Sequence, residues 1–154
     1  EFWKRELAGA RGTPGLSDPG ALAVRKAREA GYKVEPIPGP SAFAALLSAA
    51  GLGGRAVLFE GFLSPKPGRR RSRVVELMAR EEAFLVYESP HRVAKLLAEV
   101  VAVDPERRVC VGREMTKIHE EFVVGPASEA LSRFSGDEEP KGEFAVLVAG
   151  AKLA

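Results

Sequence analysis

The sequence predicts an α/β fold in which helices pack against a largely parallel or mixed sheet. Short apolar stretches alternate with longer amphipathic stretches along most of the chain, which is typical of this class. Helix starts are marked by Asp18-Pro19 and Ser89-Pro90, a capping side chain followed by proline at the first helical position. Helix ends are marked by Gly31 and Gly51, where a left-handed residue is expected.

The same patterns place each element in order along the chain. Helices are predicted at residues 18–30, 41–50, in a stretch ending near 80, and at 89–101 and 127–134. Strands are predicted at residues 32–37, 56–59, 84–87, 108–112, 121–124 and 144–148. Residues 61–72 are predicted to form a polar, proline-containing loop, and residues 136–142 an acidic turn.

Composition limits the classes of function that the chain can have. Its 154 residues are 45% hydrophobic and 29% charged, which is typical of a globular protein with a sizeable core. The formal net charge is only +2, so binding of nucleic acid has to depend on local clusters of charge. No apolar run approaches the roughly 20 residues that span a bilayer, and no leader is recognisable. The sequence favours a reducing cytoplasm and predicts no metal site.

Cys110 is the only cysteine, flanked by valines in a predicted strand. A single thiol forms no internal disulfide and does not build a zinc site. No base stands near it in the sequence, so we expect a buried thiol rather than a nucleophile.

Two turns rich in glycine and proline, residues 12–20 and 38–41, each precede a helical stretch. Small residues let the backbone N–H groups approach a ligand closely. The first turn lacks the Gly-Lys-Ser/Thr ending of a Walker loop and the glycine spacing of a dinucleotide fingerprint. We therefore predict that the two turns converge on one small-molecule site, without a more specific ligand from these residues alone.

Five strings then occur in order and together resemble one family. The strings are Gly12 to Gly20, Pro38 to Ala42, Tyr87-Glu88-Ser89-Pro90-His91-Arg92, Gly112-Arg113-Glu114-Met115-Thr116-Lys117 and Lys141-Gly142-Glu143. The chain resembles the ribosomal small subunit methyltransferase I family, within the tetrapyrrole methylase superfamily, from Gly12 to nearly its end.

The resemblance implies two α/β domains and methyl transfer from S-adenosylmethionine to a cytidine ribose 2′-hydroxyl in 16S ribosomal RNA of the small subunit. It also implies a homodimer. Residues 1–37 are then a remnant of the N-terminal domain, and residues 38–154 form the complete C-terminal domain. The cofactor positions that match the family motifs are Gly12, Thr13, Leu16, Ser41, Ala42, Glu88 and Met115.

The beginning of the chain departs from the family pattern. The family has a first strand and a Gly- and Pro-containing loop, which nothing before Gly12 resembles. Ala10 and Arg11 stand where the family usually has an acidic and a small residue. We expect that the chain is truncated or forms part of a longer protein, with one wall of the cofactor pocket missing.

The reaction needs an acceptor for the proton of the ribose hydroxyl, since that hydroxyl is a poor nucleophile near neutral pH. The candidates are Glu88, His91, Glu114 and Glu120, and the sequence does not choose among them. For His91, a hydrogen bond to nearby backbone in the first turn of the helix is as well supported as a contact with the substrate.

Basic residues are concentrated beside two prolines, and we predict that they contact the phosphates of RNA. This cluster consists of Lys66, Arg69, Arg70, Arg71 and Arg73. Three further candidates for RNA contact are Arg92, Arg113 and Lys117, for which surface ion pairs are the alternative.

Two other functions stay open at this point. A methylase acting on a tetrapyrrole or another small molecule is one, although such a substrate would not need the basic cluster. A non-catalytic RNA-binding or dimerisation module is the other, favoured by the missing first loop. Phe62 and Tyr87 adjoin predicted strands, where packing in the core is commoner than base stacking.

Overall fold

The chain divides into two compact units, Glu1–Ser41 and Ala42–Ala154. The computed structural model describes residues 20–136 and 139–152. The domain boundary predicted between residues 37 and 38 stays a prediction. Among the described residues, no helix is long and apolar enough to cross a bilayer.

The first unit contributes one described helix, α1 (Gly20–Glu29). It ends as predicted at Gly31, which has φ +79°, with the Tyr32 N–H donating to the carbonyl of Ala27 at 2.9 Å. The predicted start at Asp18 and Pro19 lies outside the described residues. The strand predicted at 32–37 is wrong, because residues 32–41 form no helix or strand. Prolines at positions 36, 38 and 40 lack the N–H that sheet pairing requires.

The described part of the second unit contains nine elements, and most lie close to their predicted positions. In chain order they are α2 (Ala42–Ala50), β1 (Val57–Phe62), α3 (Pro67–Met78), β2 (Ala83–Glu88), α4 (Pro90–Val103), β3 (Arg108–Arg113), β4 (Glu121–Pro126), α5 (Ala127–Phe134) and β5 (Phe144–Val148).

The five strands form one mixed sheet in the order β1-β2-β5-β3-β4, as the α/β fold class predicts. Only β1 and β2 are parallel neighbours, while β5 runs antiparallel to both β2 and β3. As a result β1, β2 and β3 all end at the same side of the sheet. We call this side the carboxyl edge, where β1 ends at Phe62, β2 at Glu88 and β3 at Arg113, while β5 begins at Phe144.

Side chains alternate between the two faces of the sheet and bury a separate cluster on each. Helices α3, α4 and α5 cover one face, the α4 face, where Phe84, Val86 and Val146 are fully buried. Helix α2 packs on the other face, the α2 face, through Leu46 and Ala50 against Leu85 and other strand residues. Cys110 is buried on the α2 face, as expected, and burial raises the pKa of its thiol to about 11.

The loop predicted over 61–72 is wrong, because α3 already begins at Pro67. Proline suits the first helical position, and the buried residues Arg70, Val74, Leu77 and Met78 follow helical spacing. The run of cations hid this pattern, since only its second arginine faces the core. The second half of the predicted loop, residues 67–72, is therefore the beginning of a helix.

Candidate functional site

Three of the five sequence motifs meet in one row across the sheet. Phe144 in β5 pairs with Glu88 in β2 on one side and with Arg113 in β3 on the other. The register therefore joins the strings around Glu88, Arg113 and Lys141 at the carboxyl edge. These motifs are far apart in the chain, and the direction of β5 brings them together.

The loop that follows β3 has an unusual backbone. Glu114 has φ +46° and Thr116 has φ +65°, in the left-handed region that side-chain-bearing residues rarely adopt. Such conformations cost roughly 1–3 kcal/mol each and are found mostly where surrounding contacts enforce them, often at functional sites. The enforcing contacts here come from the Lys141-Gly142-Glu143 string.

Glu114 and Glu143 exchange hydrogen bonds that fix this loop. The Glu114 N–H donates to the carbonyl of Glu143 at 3.0 Å, and the Glu143 N–H donates to Glu114 Oε1 at 2.8 Å. Gly142, with φ +110°, lies so close that a Cβ there would be 2.5 Å from Glu114 Cγ. Only glycine therefore permits this approach of the two motifs.

Lys117 closes the same arrangement. Its ammonium donates to Glu114 Oε1 at 2.9 Å and to Glu143 Oε2 at 3.0 Å. The hydrogen bond from Lys117 lowers the pKa of Glu114, and the Glu143 N–H lowers it further. The same two carboxylates raise the pKa of Lys117. We call Glu114, Lys117 and Glu143 the clasp.

Met115, between the two left-handed residues, folds back over the α2 face. A Cβ added at Gly112 would lie 2.6 Å from Met115 Sδ and 2.9 Å from Leu46 Cδ1. The thioether therefore occupies the space that glycine leaves on β3. Met115 is half-buried and packs against the same buried cluster as the partly buried rings of Phe43 and Tyr87, so this face carries partly exposed apolar side chains.

Glu88 is placed differently from Met115. It is 2% exposed, and Arg92 Nη2 donates to its Oε1 at 2.8 Å from α4, so its carboxylate lies on the α4 face. The Ser89 N–H donates to the same oxygen at 2.8 Å. Ser89 forms no side-chain cap of its own helix, and its Oγ instead accepts from Arg92 Nε at 3.2 Å. Among the described residues, Glu88 Oε2 has no hydrogen-bond partner.

Some cations of the basic cluster are paired with carboxylates and others are not. Arg70 is 4% exposed and donates to both carboxylate oxygens of Glu99 at 2.9 and 2.8 Å. Arg73 donates to both oxygens of Glu60 at 3.0 and 2.6 Å and to Glu76 at 2.8 Å. Burial removes Arg70 from the residues able to contact RNA, contrary to the sequence prediction, and Arg73 is tied to two carboxylates.

Lys66, Arg69 and Arg71 differ from these two. All three are exposed, and none forms an ion pair within residues 20–136 and 139–152. They lie at the start of α3, whose first turn holds no acidic residue. The positive end of the helix dipole therefore adds to their charge. We call these three residues the free cations.

The other predicted RNA contacts are engaged with neighbours. Arg113 donates to the carbonyl of Lys141 at 2.7 Å and to Glu121 Oε2 at 3.1 Å, and Arg133 reaches the other oxygen of Glu121. A cavity of about 380 Å³ opens beside these groups. Sequence reasoning missed Glu121 and Arg133, which have no motif around them and meet Arg113 only through strand pairing.

The remaining candidate residues are scattered around the edge. His91 is exposed at the start of α4 and contacts Glu139 through Nδ1. Glu120 is exposed, and its Oε2 accepts from the Thr116 N–H at 2.6 Å. Gly12, Thr13 and Leu16 lie outside the described residues. Ser41 and Ala42 stand on either side of the division between the two units.

Comparison with known proteins identifies the family of this chain. The family model described as Tetrapyrrole (Corrin/Porphyrin) Methylases matches residues 8–131. The chain belongs to the tetrapyrrole methylase family. Two solved structures share the fold. The methyltransferase CobJ is 24% identical with a TM-score of 0.62, matching 91% of this chain and 62% of that one. Uroporphyrin-III C-methyl transferase from Thermus thermophilus complexed with S-adenyl homocysteine is 18% identical with a TM-score of 0.55, over 91% and 63% of the two chains.

The resemblance of the motifs to the ribosomal small subunit methyltransferase I family is also confirmed. The Ribosomal RNA small subunit methyltransferase I of Borrelia garinii subsp. bavariensis is 48% identical over 138 residues, covering 89% of this chain and 62% of that protein. The chain spans 47 to 62% of the length of the first curated relatives that it matches.

The buried pair of Arg70 and Glu99 generates a stability prediction. Arg70→Met is expected to lower the free energy of unfolding by about 3 kcal/mol, because it leaves a largely buried Glu99 carboxylate without its partner. Arg71→Met, one residue along and exposed, is expected to change it by less than about 0.5 kcal/mol. Urea unfolding of both variants measures the difference.

The double variant Arg70→Met/Glu99→Leu is the second control. It removes both charges, so it is expected to recover most of the loss of the single variant. Equal losses in Arg70→Met and Arg71→Met would contradict the role given to this pair.

The clasp generates a prediction on pH. The folded-state pKa of Glu114 lies below its ordinary value of 4.5, so the stability that it contributes is present above about pH 4.5. That stability is lost as the pH falls through the lower, folded-state pKa. Glu114→Gln is therefore expected to lower Tm at pH 7 and to show a smaller further drop between pH 5 and 3 than the wild type.

Calorimetry at a series of pH values measures both quantities. Glu106→Gln is the matched control, since Glu106 is exposed and forms no ion pair within the described part of the chain. Identical pH profiles for Glu114→Gln and the wild type would show that the clasp does not support the loop.

Proposed function

We propose that the protein transfers a methyl group from S-adenosylmethionine to the 2′-hydroxyl of a cytidine ribose in 16S ribosomal RNA. The observation that carries the proposal is the row of Glu88, Phe144 and Arg113, which gathers three family motifs at an edge that also presents the free cations. The names of the relatives and the fold of the tetrapyrrole methylases support the same activity.

The methyl donor fits the α2 face of the carboxyl edge. Met115 and Tyr87 form an apolar, partly exposed surface there, which suits the adenine ring of the donor. S-adenosylmethionine supplies the methyl group as a sulfonium with a good leaving group. Gly12, Thr13 and Leu16 would hold the methionine part, and Ser41 and Ala42 would contribute the inter-domain turn of the cofactor site, as the family motifs imply. A structural neighbour complexed with S-adenyl homocysteine supports this choice of donor.

The contribution of this chain is mainly to position the reactants, because displacement at a sulfonium carbon requires the acceptor oxygen, carbon and sulfur in line. The clasp fixes Glu114, whose left-handed backbone directly precedes Met115 and is one that free peptides rarely adopt. Exposure favours His91 and Glu120 over the buried Glu88 as proton acceptors, and Glu114 Oε1 already accepts from Lys117 and from the Glu143 N–H. Glu88 instead orients Arg92 and the start of α4.

The RNA contacts of the proposal fall to Lys66, Arg69 and Arg71. Phosphates are recognised by positive charge, and each neutralised phosphate releases counterions, so affinity falls as salt rises. Cations already paired with carboxylates gain less from a phosphate, since a partner has to be displaced. Arg92, Arg113 and Lys117 are paired in this way and are proposed to contribute less.

Methyl transfer to small ribosomal subunits tests the proposed activity. Wild-type protein is expected to methylate subunits that lack this modification, and mapping of ribose methylation identifies the nucleotide.

Removal of positive charge tests the proposed RNA contacts of the free cations. The double variant Arg69→Gln/Arg71→Gln is expected to weaken RNA binding by about ten-fold at low salt. It is also expected to reduce the slope of log affinity against log salt concentration by about 2. Its affinity for S-adenosylmethionine is expected to stay unchanged.

Arg108→Gln is the matched control, since Arg108 is exposed at the opposite end of β3. It removes one positive charge away from the carboxyl edge and is expected to leave the salt slope close to that of the wild type. Methylation of uroporphyrinogen but not of RNA would favour the small-molecule alternative. Binding of RNA without any heat of binding for S-adenosylmethionine would favour a non-catalytic module.

The proposed assembly is a homodimer working in the cytoplasm, where ribosomal subunits are found. Its support is the edge strand β4, where Phe122 and Val124 are exposed on the α2 face and Ile118 is exposed just before the strand. Exposed apolar edge strands commonly pair with another chain. Phe122→Lys/Val124→Lys is expected to halve the mass measured by light scattering, and Val103→Lys to leave it unchanged. A monomeric wild type would contradict the dimer.

A further inference from the structure

Phe62 is an exposed aromatic residue at the point where β1 reaches the carboxyl edge. It is 57% exposed, whereas the neighbouring ring of Phe59 is partly buried and packs against the cluster on the α2 face. A phenylalanine ring left in water gives up much of the free energy that its burial would contribute. Its exposure therefore calls for a partner.

A β-bulge determines the face on which Phe62 stands. Phe59 pairs with Leu85 and Gly61 with Val86, so Glu60 is an extra residue in β1. Gly61 has φ +63°, a conformation that favours glycine. Without the extra residue, Phe62 would point to the α4 face, because side chains alternate. With it, Phe62 stands opposite Tyr87 on the α2 face. Bulges often re-aim a side chain in this way beside functional sites.

A chain of edge-to-face rings supports Phe62 from behind. Its centroid lies 5.8 Å from that of Tyr87, which lies 5.0 Å from Phe59, which lies 5.3 Å from Phe43. The hydroxyl of Tyr87 accepts from the Phe43 N–H at 2.9 Å in the first turn of α2. The Phe62 ring is therefore held in position while much of its surface stays open.

The free cations lie within a short distance of this ring along the chain. Lys66 follows Phe62 by four residues, so their Cα atoms are separated by at most about 14 Å. Arg69 and Arg71 follow in the first turns of α3. An exposed aromatic ring beside unpaired cations is the combination that binds single-stranded RNA, where bases stack and phosphates meet positive charge. A purely apolar partner would leave these charges without a counterpart.

From this we infer that Phe62 stacks on an unpaired nucleobase of the RNA substrate next to the methylated nucleotide. The inference rests on the proposed function and adds to it a contact that is not ionic. Stacking tolerates any base, so Phe62 contributes affinity and placement of the strand. The free cations hold the adjoining phosphates.

Binding of a fluorescent RNA hairpin, whose loop carries the target cytidine, tests this with Phe62→Ala, Phe62→Leu and Phe62→Trp in the complete polypeptide. Phe62→Ala is expected to weaken binding about ten-fold with the salt slope of the wild type, because no charge is lost. Phe62→Leu keeps an apolar side chain but no ring and is expected to resemble Phe62→Ala. Phe62→Trp is expected to bind at least as tightly as the wild type.

A spectroscopic measurement separates stacking from simple apolar contact. With 2-aminopurine placed at unpaired positions of the loop, one position is expected to be quenched by the wild type and by Phe62→Trp, but not by Phe62→Leu. Val75→Ala is the control, since Val75 is also an exposed apolar residue on α3, and it is expected to behave as the wild type.

Four outcomes would overturn the inference. Binding of RNA by Phe62→Leu as tightly as by the wild type would assign the ring to apolar packing only. A loss of S-adenosylmethionine affinity or of dimer mass in Phe62→Ala, with RNA binding intact, would assign the ring to another partner. If the wild type neither binds nor methylates RNA, the proposed function fails as well. If the wild type methylates RNA and the Phe62 variants bind RNA as tightly as it does, only this inference fails.

Discussion

The antiparallel insertion of β5 between β2 and β3 is the constraint on which the site depends. Phe144 has Glu88 on one side and Arg113 on the other, so one strand fixes the relative height of two motif-bearing loops. A slip of one residue would turn the buried residues of β5 to the opposite face. All five of its residues are buried, with Val146 and Leu147 in the clusters on opposite faces. Burial on both faces therefore makes the register stringent.

Carboxylates decide which cations at this edge are available to a ligand. Glu99 and Glu60 fix Arg70 and Arg73, while Glu88 and Glu121 fix Arg92 and Arg113. The formal charge of +2 for the whole chain therefore describes the edge poorly. What matters is that the first turn of α3 carries cations and no acid. Positive potential is therefore concentrated there. The surrounding arginines are paired with carboxylates and stabilise α3, α4 and the pairing of β3 with β4.

Sequence reasoning predicted the α/β class, and the observed bounds of α5 and β5 match the predicted ones. It succeeded there because strong apolar patterns and clear breaks coincide. It failed for 32–37, where three prolines removed the N–H groups needed for pairing, and for α3, where arginines concealed a helical face. The clasp and the pairing of Glu121 with Arg113 depend on long-range register, which no local pattern contains. All the residues that were assigned to the cofactor, in both units, stay predictions.

Among the described residues, the two non-glycine residues with a left-handed backbone both lie at the carboxyl edge, and packing elsewhere explains why this is tolerated. The bulge at Gly61, the left-handed Glu114 and Thr116, and the close approach at Gly142 all lie there. The left-handed Glu114 and Thr116 cost free energy that a regular loop would avoid. The clusters on the two faces of the sheet supply enough burial to hold these conformations. A sequence that only stabilised the fold would be expected to avoid these conformations. Their presence at one edge therefore indicates that the shape of this edge matters for function. The bulge turns Phe62 outward, and the clasp turns Met115 inward over Gly112. The two distortions therefore place the exposed ring of Phe62 and the thioether of Met115 on the same α2 face of the sheet.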